Sequence, residues 1–342
     1  MIDVSIIVPV YNVAEYIERC ITSLLSQTKK NIEFIIVDDC STDNSLSIIE
    51  SMILNNSLKD KFKIIRHKDN KGASGARNTG ILNSTGKYLY FLDSDDAITE
   101  DCIELLFNAV EDGNCDFAIG DYECIDNEAI MPTFNLREGF LHSKKEILAA
   151  YRKYQMYDMA VNKLTNRSFI LENNLFFKEN IIHEDSLWSF ALAVCSNSMA
   201  VILKKTYIYY VRENSVSTNI LRKDNFYINK SIKSREIIIG EMFNICRHYK
   251  DSPYEKDVLK TFLEHKNSLL IGILKTPNAS KTYKYGIYKK ILNHRCNTKI
   301  YDFIQSVDNI KQFIKYFHSI LPAKIGFMYI YSFYKPNNSE LI

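Results

Sequence analysis

The chain has 342 residues, 46% of them hydrophobic and 25% charged, the balance of an ordinary globular protein with material for one large domain or two smaller ones. The formal net charge of +2 argues against an obligate nucleic-acid partner. That small sum conceals an asymmetry: residues 1–220 carry 22 Lys and Arg against 31 Asp and Glu, a balance of −9, and residues 221–342 carry 21 against 10, a balance of +11.

A basic tail behind an acidic body points to an anionic partner for the tail, such as a membrane surface or a phosphorylated lipid. The eight cysteines, at positions 20, 40, 102, 115, 124, 195, 246 and 296, contain no C-x-x-C pair and no zinc-like spacing. Cys20, Cys102 and Cys195 sit in apolar-periodic stretches and read as small core residues. The opening MIDVSIIVPVYN has Asp3 where a signal peptide would carry Lys or Arg. No window approaches the roughly 18 uninterrupted apolar residues of a membrane span. A cytoplasmic, reduced chain is expected, with its basic tail able to reach the inner face of the cell membrane.

In chain order, VSIIVPV (4–10), IEFIIVD (32–38), FKIIRH (62–67) and KYLYFLD (87–93) are short, branched or aromatic, and almost continuously apolar, as parallel strands buried on both faces are. Helical patterns lie between them. AEYIERCITSLLSQ (14–27) puts Ile17, Ile21, Leu24 and Leu25 on one stripe. NSLSIIESMIL (44–54) follows the turn-rich CSTDN, and GASGARNTGILNSTG precedes the fourth strand. This alternation predicts an α/β fold built on a doubly wound, mostly parallel sheet. CDFAIGDYECID (115–126) adds a strand, helices are predicted over 143–152, 158–173 and 183–197, and MAVILKKTYIYYV (199–211) is a strand. From about residue 220 the pattern is helical, rich in Lys, Tyr and Ile, and ENSVSTNILRKDN (213–225) is the expected boundary. The division is therefore an α/β domain over 1–218 and a helical, basic region over 219–342.

In such sheets ligands bind at the carboxyl ends of the strands. Pro9, Tyr11 and Asn12 end the first strand, Asp38 and Asp39 the second, and Asp93, Ser94, Asp95 and Asp96 the fourth. Each cluster alone has a turn or helix-cap explanation; three at one rim indicate a site. Carboxylates spaced D-x-D suit a hard divalent ion, Mn²⁺ or Mg²⁺, that completes its shell with water and substrate phosphates. An aromatic face and a carboxylate acceptor beside them suit a nucleotide base and ribose.

VSIIVPVYN, FIIVDDCSTDNS, NKGASGARNTGI and YLYFLDSDD together resemble the family-2 glycosyltransferases, which have the GT-A fold. VNKLTNRSFI (161–170) and HEDSLW (183–188) resemble the W-N-K-L-x-x-R and E-D motifs of that family. The resemblance reaches about residue 215 and implies an inverting transferase. Such an enzyme moves a hexose-type sugar from a nucleotide-sugar donor, by default a UDP-sugar, to a glycan or lipid-diphosphate-linked acceptor in surface polysaccharide assembly. It also implies that Pro9, Tyr11, Asn12, Asp38 and Asp39 hold the nucleoside, with Asp39 facing the base N–H. Lys71, Arg77 and Asn78 then lie near the diphosphate or sugar. Asp93 and Ser94 approach the ribose, and Asp95 ligates the metal together with Asp93. Asp185 is the implied general base, supported by Glu184. Two positions depart from the family pattern: Cys40 stands where glycine is usual, and Val161 where tryptophan is common.

Other readings of the same residues stay open at this stage. Asp185 suits the first turn of a helix through the dipole alone, and Arg77 suits a surface ion pair. Trp188 suits either the core or a sugar face. The tail's LLIGILKT (269–276) and ILPAKIGFMYIYSFYKP (320–336) fit an interfacial helix or a small helical bundle. A dinucleotide-binding dehydrogenase is excluded, because PVYNVAEY after the first strand contains no glycine where G-x-G-x-x-G is needed. A non-catalytic sugar- or nucleotide-binding protein on a transferase fold is the remaining rival; intact Asp39, Asp93, Asp95 and Asp185 argue against it.

Overall fold

The structure, a computed structural model, describes residues 2–125, 134–211, 225–276, 279–293 and 317–334. Cys296, residues 213–224 of the expected boundary and the last two residues of the 320–336 stretch lie outside them. The chain forms two compact units, Met1–Asn180 with Glu184–Val211, and Ile181–His183 with Arg212–Ile342.

In the first unit β1 (Val4–Val10), β2 (Ile32–Asp38), β3 (Phe62–Arg66) and β4 (Tyr88–Phe91) pair in parallel in the order β3-β2-β1-β4. Val4, Ile6, Ile7, Val8 and Val10 are fully buried, so β1 needs apolar residues on both faces and its sequence does not alternate. The crossovers carry α1 (Ile17–Leu25), α2 (Ser45–Leu54) and α3 (Gly72–Asn83). α1 buries Ile17, Cys20, Ile21 and Leu24 along one stripe. α3 has few large side chains and gains its packing by proximity instead. A Cβ at Gly80 would lie 2.2 Å from Ile7 Cγ2, so only glycine lets this helix lie so close to β1.

The remaining strands are β5 (Ala97–Ile98), β6 (Phe117–Ile125), β7 (Gly139–Leu141), β8 (Lys163–Asn166) and β9 (Met199–Tyr210). They extend the same mixed sheet to β3-β2-β1-β4-β8-β6-β9-β5, with β7 also paired to β9. β8 runs antiparallel to both β4 and β6, and β6 runs parallel to β9. Helices α4 (Cys102–Asp112), α5 (Lys144–Arg152), α6 (Arg167–Glu172) and α7 (Glu184–Cys195) complete the unit.

The continuous helix expected over 158–173 is not what forms. Lys163–Asn166 is a strand, and the helix is confined to Arg167–Glu172. Asn162 takes the left-handed conformation at φ 55°, which a helix interior does not tolerate. The free edge of β4 then recruits Leu164–Asn166 into the sheet. Asn166 ends the strand and caps α6, its side-chain oxygen accepting from Ser168 N and Phe169 N.

In the second unit α8 (Asn225–Arg247), α9 (Glu255–Lys275), α10 (Lys281–Asn293) and α11 (Ala323–Tyr334) bury Ile232, Ile239, Phe262, Leu270, Tyr288 and Ile330. The buried Lys284 donates to Leu274 O at 2.8 Å and Thr276 O at 2.7 Å, satisfying carbonyls at the end of α9. No helix of the described residues is long and apolar enough to cross a membrane. The described cysteines are all free thiols.

Candidate active site

Because β1, β2 and β4 are parallel neighbours, their carboxyl ends share one rim, and the Asp39 N–H donates to Val10 O at 2.8 Å to hold the first two ends together. Pro9 is half-buried and Tyr11 is 48% exposed, its ring open to solvent. Asn12, left-handed at φ 50°, accepts from Thr42 N at 2.8 Å. Asp38 is buried and accepts from Ser41 N at 3.2 Å, shaping the same turn.

Asp39 organises the next element. Its carboxylate accepts from Lys71 N at 2.8 Å and Gly72 N at 2.7 Å, two of the unpaired N–H groups that open α3. His67 Nδ1 lies 2.7 Å from the same carboxylate, and His67 Nε2 lies 2.8 Å from Thr79 Oγ1. A carboxylate offers about four acceptor positions, so a ligand donor could still be accommodated. The Lys71 side chain is exposed. Asn78 exchanges hydrogen bonds with the Phe177 backbone, donating to O at 2.9 Å and accepting from N at 2.8 Å. Its amide braces the chain ahead of α7.

Arg77 is the centre of the site. It is 3% exposed, and its guanidinium donates to Asp93 and Glu184 at 2.8 Å each and to Asp185 at 3.4 Å. The residues come from α3, the loop after β4 and the first turn of α7. Three carboxylates thus share one cation. Burial opposes the Arg77 charge, but Asp93, Asp185 and Glu184 outweigh it and hold the guanidinium above its ordinary pKa. Arg77 Nε is buried without a hydrogen-bond partner. Asp185 moves the other way: burial, then the Glu184 charge, push its carboxyl up to about 7, with Arg77 opposing. A carboxylate so poised suits a general base near neutral pH.

The acidic loop divides its labour. Asp93 keeps 32% of its side chain exposed, Ser94 is buried and Asp95 is half-buried. Asp96 is 1% exposed, accepting from Tyr207 OH at 2.5 Å and Tyr210 N at 2.9 Å, and its pKa is raised mainly by burial. It anchors the loop to β9. Among the described residues no group of three or more His, Cys, Asp or Glu could hold a metal alone. Asp93 and Asp95 are hard oxygen donors, which fits an ion whose other ligands are phosphates and water.

Trp188 belongs to the core: it is 2% exposed, stacks on Phe177 at 5.2 Å and donates to Leu175 O at 3.1 Å. His183 Nε2 is 2.8 Å from Ser231 Oγ. Val161 is buried, and Asn162 beside it satisfies a closed network through Gly120, Asp121, Tyr90 and Thr206. Sequence reasoning passed over His67 and Arg19. The first ended an apolar strand and the second lay off the stripe of an amphipathic helix, so neither carried a local signal.

The sequence model described as glycosyl transferase family 2 matches residues 5–171. The poly(ribitol-phosphate) beta-N-acetylglucosaminyltransferase TarP of Staphylococcus aureus is 32% identical over 235 residues, covering 68% of this chain and 68% of TarP. The glycosyltransferase GlyA of Streptococcus pneumoniae is 30% identical over 226 residues, covering 63% of this chain but 31% of GlyA, so the chain spans about a third of that relative's length. The crystal structure of Staphylococcus aureus TarS 1–349 in complex with UDP-GlcNAc superposes with a TM-score of 0.71 at 19% identity, covering 97% of this chain and 90% of that one. The likeness to TarS shows a GT-A-like fold, and the sequence matches place the chain in glycosyl transferase family 2.

Proposed function

We propose that the protein is an inverting glycosyltransferase that moves a hexose-type sugar from a UDP-sugar to a hydroxyl of a glycan or lipid-diphosphate-linked acceptor in surface polysaccharide assembly. One observation carries the reading: Arg77 ties the loop acid Asp93 to the acidic pair Glu184 and Asp185, one of which is held near neutral pKa. That arrangement juxtaposes a place for a leaving diphosphate and a base for an incoming hydroxyl. The family membership and the UDP-GlcNAc complex of TarS support the donor class.

In this mechanism Tyr11 and Asp39 receive the nucleoside, with the Asp39 carboxylate accepting the base N–H. Asp93 and Asp95 would hold Mn²⁺ or Mg²⁺, which when bound supplies Lewis-acid neutralisation of the departing diphosphate. Arg77 offers its guanidinium to the same negative charge. Asp185 takes the proton of the acceptor hydroxyl as its oxygen bonds the anomeric carbon and the bond to the phosphate oxygen breaks. A single displacement inverts the configuration, so no carboxylate nucleophile is required. For the second unit we propose contact with an anionic membrane surface. α11 leaves Ile325, Met328 and Phe333 exposed, and residues 221–342 carry 21 basic against 10 acidic side chains.

One experiment addresses both parts. UDP release from UDP-hexoses is measured with Mn²⁺ or Mg²⁺ and a lipid-diphosphate acceptor, in anionic and in zwitterionic vesicles. The expected result is metal-dependent release that needs the acceptor and is faster in anionic vesicles. No release and no UDP binding with either metal would overturn the catalytic reading. Equal rates in the two vesicle types would overturn the membrane contact alone.

A further inference from the structure

The loop Asp93–Asp96 is a four-residue turn closed by the Asp96 N–H donating to Asp93 O at 3.1 Å. Two external ties hold its back. The Asp96 carboxylate is gripped by Tyr207 OH and Tyr210 N of β9. The Asp95 carbonyl accepts from Arg19 of α1, through Nε at 2.8 Å and through Nη2. Arg19 itself is held by aromatic faces, its guanidinium carbon 3.9 Å from the centroid of Tyr210 and 5.0 Å from that of Tyr16. A planar guanidinium can fork onto one carbonyl while stacking on a ring, which an ammonium cannot do.

Holding the carbonyl of residue 95 and the side chain of residue 96 fixes the peptide between them. The turn closure by the Asp96 N–H then limits rotation about the Cα–C bond of Asp95, and with it the direction of its Cα–Cβ bond. An arginine at this point has no need to touch substrate to affect it. We propose that Arg19 is a positioning residue for the acidic loop: by clamping the Asp95 carbonyl it aims the Asp95 carboxylate at a divalent cation. Tyr210 is the other jaw of the clamp, because one residue both stacks on Arg19 and bonds Asp96. The same few atoms thereby couple α1, the loop and the end of β9. The inference rests on the proposed role of Asp95 as a metal ligand, and it adds the residue that makes this ligand effective.

The test measures Mn²⁺ affinity with UDP present, by the electron paramagnetic resonance of free Mn²⁺, in the wild type, Arg19→Ala and Arg19→Lys. Metal-free UDP affinity and the thermal midpoint are measured alongside. Outer groups that orient metal ligands are worth about 10- to 100-fold in metal affinity. Arg19→Ala is therefore expected to lose about that much Mn²⁺ affinity while metal-free UDP affinity holds. Its turnover should recover in excess Mn²⁺, through a raised KM for the metal at little cost in kcat. Arg19→Lys should fall between, since it restores the charge without the fork. Should Arg19→Ala fail to fold, Arg19→Lys decides: Mn²⁺ affinity within twofold of wild type in a folded variant overturns the inference. If the wild type binds no Mn²⁺ with UDP, the metal site itself fails and the inference with it. If the wild type binds and both variants bind equally, only the clamp is lost.

Discussion

Two polar clusters in the first unit, each centred on a buried side chain, are built on opposite rules. Around Arg77 three carboxylates share one guanidinium, one buried Nε–H has no partner, and Asp185 is pushed up to about 7. Around Asn162 every group of the amide is spent. Its oxygen accepts from Tyr90 OH at 3.2 Å and Thr206 Oγ1 at 2.9 Å, and its nitrogen donates to Gly120 O at 3.0 Å and Asp121 O at 2.9 Å. Gly120 belongs there because a Cβ would sit 2.3 Å from Thr206 Oγ1. The second cluster lies where the sheet turns antiparallel, beside the register shift between Gly120 and Asp121. An unbalanced buried cluster is costly and is kept where chemistry needs it; a satisfied one specifies the fold.

The sharpest way to break this contrast is Asp185→Asn. The amide keeps the shape and cannot take a proton, so transfer should fall by about 10²–10⁴-fold, the scale of a lost general base. UDP affinity should stay close to wild type. In the wild type kcat/KM should climb as pH rises through about 7, because the base works deprotonated and its pKa is raised to there. A variant retaining more than a tenth of the activity would remove Asp185 from the base role. A flat profile between pH 6 and 8 would do the same.

The converse change is Asn162→Ala. It takes the amide's bonds from the Gly120 and Asp121 carbonyls and from the Tyr90 and Thr206 hydroxyls, leaving Tyr157 OH on the Gly120 carbonyl at 2.7 Å, and it puts alanine at φ 55°. Unpaired buried groups cost about 1–3 kcal/mol each when not relieved by water, so a loss on the order of 3 kcal/mol is expected, or roughly 6–12 °C in Tm for a unit of this size. Transfer per folded molecule should be unchanged. A stable variant with lost transfer would instead assign this cluster to the site.

Much of this was legible before the fold was seen. β1 and β2 announce themselves because both faces are buried and nearly every position is apolar. The three acidic or polar strand ends converge because parallel neighbours must end on one side. What stayed hidden depended on distant partners. Asp95 and Asp96 look alike in sequence, and it is Tyr207 and Tyr210, 111 and 114 residues on, that draw the second into the interior. The stretch 158–173 reads as one helix, yet the unpaired edge of β4 claims Leu164 for β8. Arg19 sits off the buried stripe of α1 and meets the loop 76 residues away. In the N-K-L motif, chemistry and architecture read alike: Asn162 and Lys163 are both fully buried. The Lys163 ammonium donates to the carbonyls of Tyr157 and Met159, and burial pushes its pKa down to about 7.

The smallest predicted effect sharpens the comparison through the backbone. The rim holds two left-handed residues that are not glycine, Asn12 at φ 50° and Cys40 at φ 66°. Asn is enriched in that region, and Asn12 is further held by Thr42 N, 30 residues on; Cys is not so favoured. Its Sγ reaches only the Lys68 carbonyl, at 3.6 Å, and the strain is on the order of 1–2 kcal/mol. Glycine removes that strain and returns about 0.5–1 kcal/mol of it as unfolded-state entropy. Cys40→Gly should therefore stabilise the protein by about 0.5–1 kcal/mol, visible as a higher denaturant midpoint at unchanged slope. Asp39 keeps its bonds to Lys71 and Gly72 in the variant, so UDP affinity should not move. A lower midpoint would mean that the thiol contact outweighs the strain. A changed UDP affinity would mean that the left-handed turn sets the position of Asp39, and strain at the rim would then belong to ligand binding rather than to folding alone.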